Sequence, residues 1–435
     1  METLNQVPSF RRLRAFEAIA ASGSVSAAAL ELRLSQPAVT QSINLLEAQM
    51  GARLFERSQE GSFLNESGTV FRRRTKRFFA QVVGAVRSAL GDAQREDPEL
   101  VARKLGGSQT RAIMAIWQAG SFRAAAQKLG LSEPSLQRPA RQLERLLGAP
   151  LYRRSATGLA VNERGADLAR RLALAIGEII SGQEEIGAAR TARASLRIGV
   201  LALAPRTLLA TATHALLQAF PLHKLEVVEG PYQKLAVDLR DGAIDMMYGA
   251  LRTPPPFDDL CEQDLFEDPY SIVCRRDHPL TKLDRIGAKD LAACQWVFPT
   301  EGLPRRVVLN ELIEARNLPA HVQIETSCLA TIVALLTTSD RISLLSRWQI
   351  TLDGHADLAR VEGVRIPHQR RFVGLTTRST WLPTPVQDAF LLALQRAAEA
   401  VRDASDQSRT AGQSARTGKM AGHGGLGSPP LRSQT

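Results

Sequence analysis

The sequence of 435 residues has few cysteines, few aromatic residues and no long apolar run. The cysteines, Cys261, Cys274, Cys294 and Cys328, form no C-x-x-C pair, which argues against a disulfide scaffold and against a zinc site. No stretch approaches the roughly eighteen apolar residues of a membrane-spanning helix, and the amino terminus lacks the apolar core of a signal peptide. We therefore expect a cytoplasmic protein with no cofactor, no metal and no membrane contact.

Sequence signatures of common enzyme classes are also missing. The seven histidines form no H-x-x-x-H motif, and neither G-x-S-x-G nor the phosphate-binding G-x-x-x-x-G-K-[ST] occurs. No nucleophile, general base or metal cluster stands out. The sequence therefore predicts no catalytic residue, and an enzyme is a less favoured class.

Basic charge is abundant and unevenly distributed. The 55 lysines and arginines exceed the 44 acidic residues by 11. Residues 1–97 carry 13 basic and 10 acidic side chains, residues 98–194 carry 15 and 8, and residues 195–405 carry 23 and 25. The excess in the first 194 residues favours a polyanionic partner such as nucleic acid.

An internal repeat occupies this basic half. At an offset of 97 residues, the segment that begins at Gly23 aligns without a gap on the segment that begins at Gly120, and 20 of 46 positions are identical. The matches include the alanine triplets that begin at Ala27 and Ala124, and the pairs Ser35/Ser132, Pro37/Pro134, Glu47/Glu144, Arg57/Arg154 and Asn65/Asn162. One unit of about a hundred residues therefore occurs twice.

Each unit predicts a helix-turn-helix. A short helix ends at glycine, a second helix contains the alanine triplet, and a third begins at Ser35 or Ser132, where serine can cap and an early proline is tolerated. Small residues let the helices cross closely, around an apolar core of Leu32, Leu34, Val39, Ile43 and Leu46. The outward side chains of the first copy can bond to base edges in a major groove, although a solvated helical hairpin is the alternative.

The segments Gly51 to Arg57 and Gly148 to Arg154 look like wing strands. They offer arginines for phosphates or for the minor groove. The predicted DNA contacts are Ser35, Gln36, Pro37, Thr40, Gln41, Asn44, Arg53 and Arg57 in the first copy, and Arg141, Arg145, Arg153 and Arg154 in the second.

We predict that the two copies are unequal because of Pro139, which aligns with Ser42 inside the third helix. A proline there deletes the bond to the carbonyl of Ser135 and biases Arg138 away from helical angles. This distortion is expected to spoil or redirect base readout by the second copy. A kinked helix that still reads DNA is the alternative.

The segment SQPAVTQSINLLEAQMGARLFER closely resembles the DNA-binding segment of the LysR-type transcriptional regulators, and SEPSLQRPARQLERLLGAPLYRR resembles the same pattern less well. The resemblance implies a winged helix-turn-helix, a linker helix that pairs two chains, and a carboxy-terminal domain that senses a ligand. Members of the family ordinarily carry one DNA-binding unit, so two copies depart from the usual plan.

The rest of the chain predicts an α/β domain. A strand at Ser195 to Val200, a helix at Ala204 to Phe220 and a strand at Leu225 to Val228 give the alternation of a sheet with crossover helices. The resemblance extends here and implies a two-lobed fold similar to type 2 periplasmic-binding proteins, with an inducer between the lobes. The candidate effector contacts are Ala204, Arg206, Gly249, Arg252, Thr300, Gly302, Thr326 and Ser327.

The predicted fold class is multidomain α plus α/β. The predicted segments are winged helix-turn-helix domains at 8–65 and 105–162, linker helices at 66–97 and 163–194, an effector domain at 195–404 and a disordered tail at 405–435. The linker helices carry apolar stripes, made of Val70, Phe78, Val82 and Val86 in the first and of Leu168, Leu172, Ile176 and Ile180 in the second. Either two chains pair through like helices, in the homodimer or higher oligomer that we favour, or the two copies pair within one chain.

The predicted function is sequence-specific transcriptional regulation. The partners are double-stranded DNA and a small-molecule inducer of undetermined identity, with RNA polymerase as a further candidate. The alternatives are a redox-switched regulator that uses cysteines of the effector domain and, less favoured, an enzyme built on the two-lobed domain.

Overall fold

The computed structural model describes residues 8–58, 61–90, 96–156, 158–187, 195–252, 254–319, 321–367 and 370–420. The chain divides into two compact units. The first holds the chain up to Arg197 together with Leu222–Glu226 and Ala236–Asp245. The second holds Ile198–Pro221, Val227–Leu235 and the chain from Met246 onward.

The first unit begins with three helices, a hairpin and a long helix. These are α1 (Phe10–Ser22), α2 (Val25–Leu32), α3 (Gln36–Met50), the antiparallel strands β1 (Phe55–Ser58) and β2 (Gly61–Leu64), and α4 (Glu66–Leu90). The hydroxyls of Ser9, Ser24 and Ser35 accept backbone N–H groups at the starts of α1, α2 and α3. Gly23 and Gly51 adopt left-handed angles that end α1 and α3.

The same arrangement then recurs. A short helix α5 (Pro98–Lys104) precedes α6 (Gly107–Ala119), α7 (Phe122–Leu129), α8 (Glu133–Leu147), the antiparallel strands β3 (Tyr152–Ser155) and β4 (Gly158–Val161), and α9 (Glu163–Gly187). Each helix has the length of its counterpart: 13 residues in α1 and α6, 8 in α2 and α7, 15 in α3 and α8, and 25 in α4 and α9. The sequence repeat is therefore also a repeat of structure.

Two identical pairs of the repeat connect each third helix, hairpin and long helix. Glu47 accepts the N–H of Leu54 through Oε1 at 2.8 Å, and Glu144 accepts that of Leu151 at 2.9 Å. Asn65 caps α4 by accepting the N–H of Gly68 at 2.8 Å, and Asn162 accepts that of Gly165 at the same distance. A side chain on Gly68 or Gly165 would collide with the carbonyl oxygen of Leu54 or Leu151. These shared residues therefore fix the angle between hairpin and long helix in both copies.

Two expectations about the second copy need correction. The hydroxyl of Ser132 makes no capping bond to the backbone and instead lies 2.7 Å from the hydroxyl of Ser135. Helix α8 continues without interruption through Pro139, and Arg138 is helical. The predicted loss of helical structure at Arg138 is therefore wrong, because the helix keeps its apolar face packed through Leu136, Ala140 and Leu143.

The long helices α4 and α9 pack against each other within the chain. Phe71, Phe78 and Val82 of α4 share one core with Leu168, Leu172 and Ile176 of α9. The helices approach closely at Gly182, where an added side chain would come within 3.1 Å of Phe71. Of the two assemblies that the sequence allows, this is the pairing of the two copies inside one chain, and it covers both apolar stripes except Val70.

The carboxy-terminal region is built on two five-stranded sheets. The first has the strand order β6-β5-β7-β14-β8 and the second the order β11-β10-β12-β9-β13. The strands are β5 (Ser195–Val200), β6 (Lys224–Glu229), β7 (Met246–Ala250), β8 (Leu260–Glu267), β9 (Tyr270–Arg275), β10 (Gln295–Phe298), β11 (Ile324–Glu325), β12 (Arg341–Ser346), β13 (Leu358–Arg360) and β14 (Phe372–Arg378). The chain crosses from one sheet to the other between β8 and β9 and again between β13 and β14. The predicted α/β domain with two lobes is therefore correct.

The helices of this region follow the strands. They are α10 (Arg206–Ala219), α11 (Tyr232–Arg240), α12 (Ala288–Ala292), α13 (Pro304–Arg316), α14 (Leu329–Thr337), α15 (Arg347–Leu352) and α16 (Pro385–Met420), with a 3-10 turn at Pro279–Lys282. Because α16 continues to Met420, the backbone of the predicted tail is helical from 405 to 420 rather than irregular. Residues 421–435 lie outside the described residues, as do the ends of both predicted linkers at 91–95 and 188–194.

A half-buried carboxyl on α9 predicts a pH-dependent stability. Burial, together with the nearby carboxylates of Asp245 and Glu185, raises the pKa of Glu184 from 4.5 to about 7, against the opposing effect of Arg197 and Arg74. Between pH 4.5 and 7 the folded state holds a proton that the unfolded state has lost, so stability should fall as pH rises through that window, by at most about 3 kcal/mol. Glu184→Gln should remove this slope and be more stable than wild type at pH 8. Urea unfolding at pH 5 and pH 8 tests this, and parallel curves for the two proteins would contradict it.

Candidate functional site

Helix α3 presents a row of polar side chains to solvent. Gln36, Gln41 and Asn44 are exposed, while Val39, Ile43 and Leu46 on the opposite side are buried. Thr40 is half-buried and lines a small hollow with Val25 and Phe55. Ser35 and Pro37 form the exposed first turn, in which the Ser35 hydroxyl accepts the N–H of Ala38 at 3.4 Å. The exposed amides therefore lie on a surface that base edges can reach, and Thr40 is less accessible.

The hairpin β1–β2 follows this helix, but its two predicted arginines differ. Arg53 precedes β1 and pairs with Glu47 at 3.0 Å, although three quarters of its side chain remains exposed. Arg57 lies within β1 opposite Ser62, and its side chain is outside the described part of the structure. Arg53 can meet a phosphate without leaving Glu47, because a planar guanidinium presents five N–H donors.

The second copy presents cations where the first presents amides. On α8, Arg138 aligns with Gln41 and Arg141 with Asn44, and both are exposed. Arg145 is exposed one turn further along the helix, and Arg153 and Arg154 are exposed on β3. Glu133 occupies the place of Gln36 and carries a negative charge at the start of the helix. This surface suits phosphates more than base edges.

Among the candidate effector residues, the structure brings together two loops of the second lobe. The hydroxyl of Ser327 donates to Thr300 Oγ1 at 2.9 Å, and the Thr300 N–H donates to Ser327 Oγ at 3.2 Å. Thr326 accepts the N–H of Cys328 through its hydroxyl at 3.2 Å. Gly302 has φ +76°, a left-handed angle that turns the chain into α13. The three hydroxyls and the turn at Gly302 therefore lie at the same edge of the second sheet.

Three candidates of the first lobe have structural roles already. Ala204 is fully buried. The guanidinium of Arg206 pairs with Glu229 at 3.0 Å, and its backbone N–H donates to Asp353 at 3.1 Å. Gly249 has φ +153°, and a side chain there would lie 2.6 Å from Cβ of Leu201. These positions shape the lobe and offer little to a ligand.

Arg252 has a different environment. Its guanidinium lies over the ring of Tyr232, 5.0 Å from the centroid, and its backbone N–H donates to Glu262 Oε2 at 2.8 Å. Tyr232 also donates its hydroxyl to Glu262 Oε1 at 2.9 Å. Burial lowers the pKa of Arg252 and raises that of Glu262. Unlike Arg206, Arg252 therefore places its guanidinium on an aromatic face rather than against a carboxylate.

Sequence reasoning missed two arginines, Arg305 and Arg371. Arg305 lies in the first turn of α13 and only 2% of it is exposed. Arg371 immediately precedes β14 and pairs with Asp268, which is fully buried. The sequence holds no signal for either. Arginines occur in adjacent pairs at 305 and 306 and at 370 and 371, and nothing in the sequence shows which member of each pair is buried.

The cysteines differ in exposure and acidity. Burial raises the pKa of Cys274 to about 11 and also raises that of Cys294. Cys261 and Cys328 are exposed, and hydrogen bonds with Thr331 lower the pKa of Cys328. All four are free thiols. The two packed thiols are therefore poorly suited to oxidation.

Neither a metal centre nor a membrane span is found in the described ranges. No group of three histidine, cysteine or acidic side chains there is arranged to hold a metal ion. Within the same ranges, no helix combines the length and apolarity needed to cross a bilayer.

Two family descriptions match the chain. The description "Bacterial regulatory helix-turn-helix protein, lysR family" matches residues 10–69 and 108–166. The description "LysR substrate binding domain" matches residues 189–399. Together they cover both amino-terminal copies and the two-lobed region.

Two curated relatives are described as HTH-type transcriptional regulators. The HTH-type transcriptional regulator GalR of Pseudomonas putida is 30% identical over 395 residues, which span 90% of this chain and 98% of that protein. The HTH-type transcriptional regulator CbbR of Rhodospirillum rubrum is 26% identical over 286 residues, or 64% of this chain and 92% of that protein. Among solved structures, a full-length OxyR variant of Pseudomonas aeruginosa is 21% identical, covers 67% of this chain and 93% of its own, and has a TM-score of 0.48.

Proposed function

Because the chain belongs to the LysR family of transcriptional regulators, we propose that it binds specific sites in double-stranded DNA and that a small effector bound between its lobes controls this binding. Regulators of this family bind DNA and small-molecule effectors and act as oligomers, and the relatives are not enzymes. The observation that carries the proposal is the exposed amide row of α3 followed by a hairpin, in the half of the chain that holds the basic excess.

We further propose that both amino-terminal copies are winged helix-turn-helix domains, at 8–65 and 105–162, with linker helices at 66–97 and 163–194 and an effector domain at 195–404. The equal helix lengths and the shared Glu47/Glu144 and Asn65/Asn162 bonds support this. So does the GalR alignment, which spans 90% of this chain and 98% of that protein.

The predicted contacts fall into two groups. Gln36, Gln41 and Asn44 are proposed to read bases, with Ser35, Pro37 and Thr40 shaping the helix start and Arg53 and Arg57 holding phosphates. Arg141, Arg145, Arg153 and Arg154 are proposed to hold phosphates through the second copy. The effector would lie by Thr300, Gly302, Thr326, Ser327 and Arg252. The protein would act in the cytoplasm, where it can meet DNA and the further candidate partner, RNA polymerase.

For assembly, we propose that the pairing of α4 with α9 inside one chain replaces the pairing of linker helices between two chains. The homodimer through like linker helices was the assembly that the sequence favoured. Apart from Val70, the apolar stripes of both helices are covered in the single chain, so a further oligomer would have to use another surface.

A gel-shift assay of the full chain tests the proposed function. We expect a retarded complex with DNA from the promoter next to the gene that encodes this protein. The affinity should fall roughly a thousandfold for six phosphate contacts as the salt concentration rises from 50 to 200 mM. Random DNA of equal length is the control and should bind at least about a hundredfold more weakly. Equal binding of both DNAs would contradict a sequence-specific regulator.

The same assay addresses the redox alternative, which the lowered pKa of Cys328 favours. Peroxide treatment should leave the complex unchanged if a ligand is the signal. A complex that peroxide abolishes and dithiothreitol restores would favour thiol control instead.

A further inference from the structure

The guanidinium of Arg305 is buried without a full set of partners. Its Nη1 donates to the carbonyl of Leu344 at 3.0 Å. Nε and Nη2 are also shielded from solvent, and neither forms a hydrogen bond with any of the described residues. Nε and Nη2 lie on one edge of the planar group, so an entire two-donor edge is unpaired. Buried donors in folded proteins are almost always paired, which makes this edge exceptional.

The surroundings of Arg305 do not balance its charge. Burial, with the nearby charge of Arg371, lowers its pKa to about 10 despite the opposing effect of Tyr270. The carboxylate of Asp268 is engaged elsewhere: it accepts from Arg371 Nη1 at 2.6 Å, from Ser346 Oγ at 2.5 Å and from the Trp348 N–H at 3.1 Å. Two arginines thus stand beside one engaged carboxylate, and the cluster carries one uncompensated positive charge.

Arg371 leaves a donor of its own unused in the same cluster. Its guanidinium stacks on the ring of Tyr270, 5.1 Å from the centroid, and its buried Nε lacks an acceptor among the described residues. The unpaired donors of the cluster therefore come from two side chains that influence each other electrostatically.

Such a charge is costly in the absence of a ligand. The free-energy cost of removing a cation from water is offset only by an opposite charge with good hydrogen-bond geometry. An arginine edge with two parallel N–H groups matches the two oxygens of a carboxylate. A single carboxylate would also bring the net charge of the cluster to zero, whereas a phosphate dianion would overcompensate it.

A second polar group indicates what else a ligand would carry. Gln349 of α15 is fully buried, its Nε2 donates to the carbonyl of Ala202 at 3.4 Å, and its Oε1 receives no hydrogen bond from the described residues. Gln349 lies one residue after Trp348, whose N–H donates to Asp268 in the arginine cluster. An unpaired acceptor of this kind suits a hydroxyl or N–H on the ligand.

We propose that the unpaired edge of Arg305, with Arg371 beside it, binds the carboxylate of a small organic acid, and that this acid is the effector. This inference rests on the proposed function, since it names the chemical class of the molecule that occupies the sensing domain. It extends the site from the loops at Thr300 and Ser327 to the first turn of α13.

Thermal unfolding of the full chain tests the proposal with defined probes. We expect acetate or benzoate to raise the unfolding midpoint of the wild type by several degrees over equal chloride, and neutral benzamide to leave it unchanged. Arg305→Met should unfold at a higher temperature than the wild type without ligand, because it removes an unpaired buried charge, and should gain nothing from either carboxylate. The control Arg285→Met removes an exposed arginine and should respond like the wild type.

A second variant guards against misfolding of the first. Arg305→Lys keeps the charge and removes the two-donor edge, so it should lose most of the response to carboxylates. The proposal is overturned if neither carboxylate stabilises the wild type, if Arg305→Met or Arg305→Lys retains the full response, or if inorganic phosphate stabilises the wild type more than the carboxylates do. The gel shift on promoter DNA is independent of these outcomes, so a failure here is distinguishable from a failure of the regulator assignment.

Discussion

Replacement of Arg74 by methionine should lower the free energy of unfolding of the amino-terminal unit by about 3 to 5 kcal/mol, because it leaves buried carboxylates without their main partner. Only 1% of the Arg74 side chain is exposed. Its Nη1 lies 2.9 Å from Glu178, and its Nε donates to Glu185 at 2.9 Å. Both acids belong to α9, so the loss acts directly on the pairing of α4 with α9.

Urea unfolding followed by circular dichroism measures this loss. The control Arg87→Met removes an exposed arginine of the same helix and should change stability by no more than about 0.5 kcal/mol. Adding Glu178→Leu and Glu185→Leu to Arg74→Met should restore most of the stability, because buried ion pairs are replaceable by apolar side chains once no charge is left over. An Arg74→Met variant as stable as the control would show that the network contributes nothing to the pairing.

The same contacts can also form between two chains, with α4 of one packed on α9 of the other. Measurements at several protein concentrations distinguish this arrangement from pairing inside one chain. If the pairing is internal, light scattering should give the mass of one chain. The unfolding midpoint should then not depend on protein concentration. A dimer that dissociates in Arg74→Met would place the pairing of α4 with α9 between two chains rather than inside one.

The placement of charge explains why unlike helices pair. Gln81 of α4 donates to Glu178 of α9 at 3.0 Å, and these two residues are equivalent in the repeat, which indicates a local pseudo-twofold axis between the helices. The counterparts of Glu178 and Glu185 in the first copy are Gln81 and Ser88. If α4 paired with another α4, Arg74 would face these neutral residues and remain a buried, unpaired cation. The network therefore discriminates against like pairing as well as stabilising unlike pairing.

This feature shows how far the sequence alone could lead. Local patterns predicted the three helices, the hairpin and the alternation of the α/β domain, because caps, alanine triplets and strand periodicity act over a few residues. The apolar stripes of α4 and α9 were also predicted, but the sequence left two possible partners open and favoured the pairing of like helices between chains. A stripe specifies that a surface is covered, whereas Arg74, Glu178 and Glu185 specify what covers it, and they are distant in sequence.

The effector region was less predictable for a related reason. The family resemblance indicated loops, and the structure does bring Thr300 and Ser327 into contact. Arg305 and Asp268 acquire their meaning only from burial, since a surface arginine and a buried one are identical letters in a sequence. Burial of a charge depends on how distant segments fold around it, which no local pattern encodes.

The other large effect concerns base readout by the first copy. Gln36→Ala should cost about 1 to 3 kcal/mol in specific binding and relax the preferred base at one position, because an exposed glutamine at the start of α3 can pair with a base edge. Thr40→Ala should fall at the lower end of that range, since Thr40 is half-buried. Arg57→Ala should weaken all sequences alike. Footprinting and competition with randomised DNA measure both quantities, and an unchanged footprint for Gln36→Ala would show that α3 is not the reading helix.

The corresponding changes in the second copy should act differently, for a reason that the unbroken α8 revises. The helix is intact at Pro139, so the inequality of the copies rests on side-chain chemistry. Glu133 stands at the position of Gln36, for which base reading is proposed, and a carboxylate there repels phosphate and can only accept a hydrogen bond, as from the amino group of cytosine. We expect Gln137→Ala with Arg138→Ala to leave the preferred sequence intact, and the neutralised pair Arg153→Gln with Arg154→Gln to lower affinity for every DNA and to flatten the salt dependence by about two phosphate contacts. A second half-site footprint that disappears with the Gln137 and Arg138 changes would show instead that α8 reads bases despite Glu133.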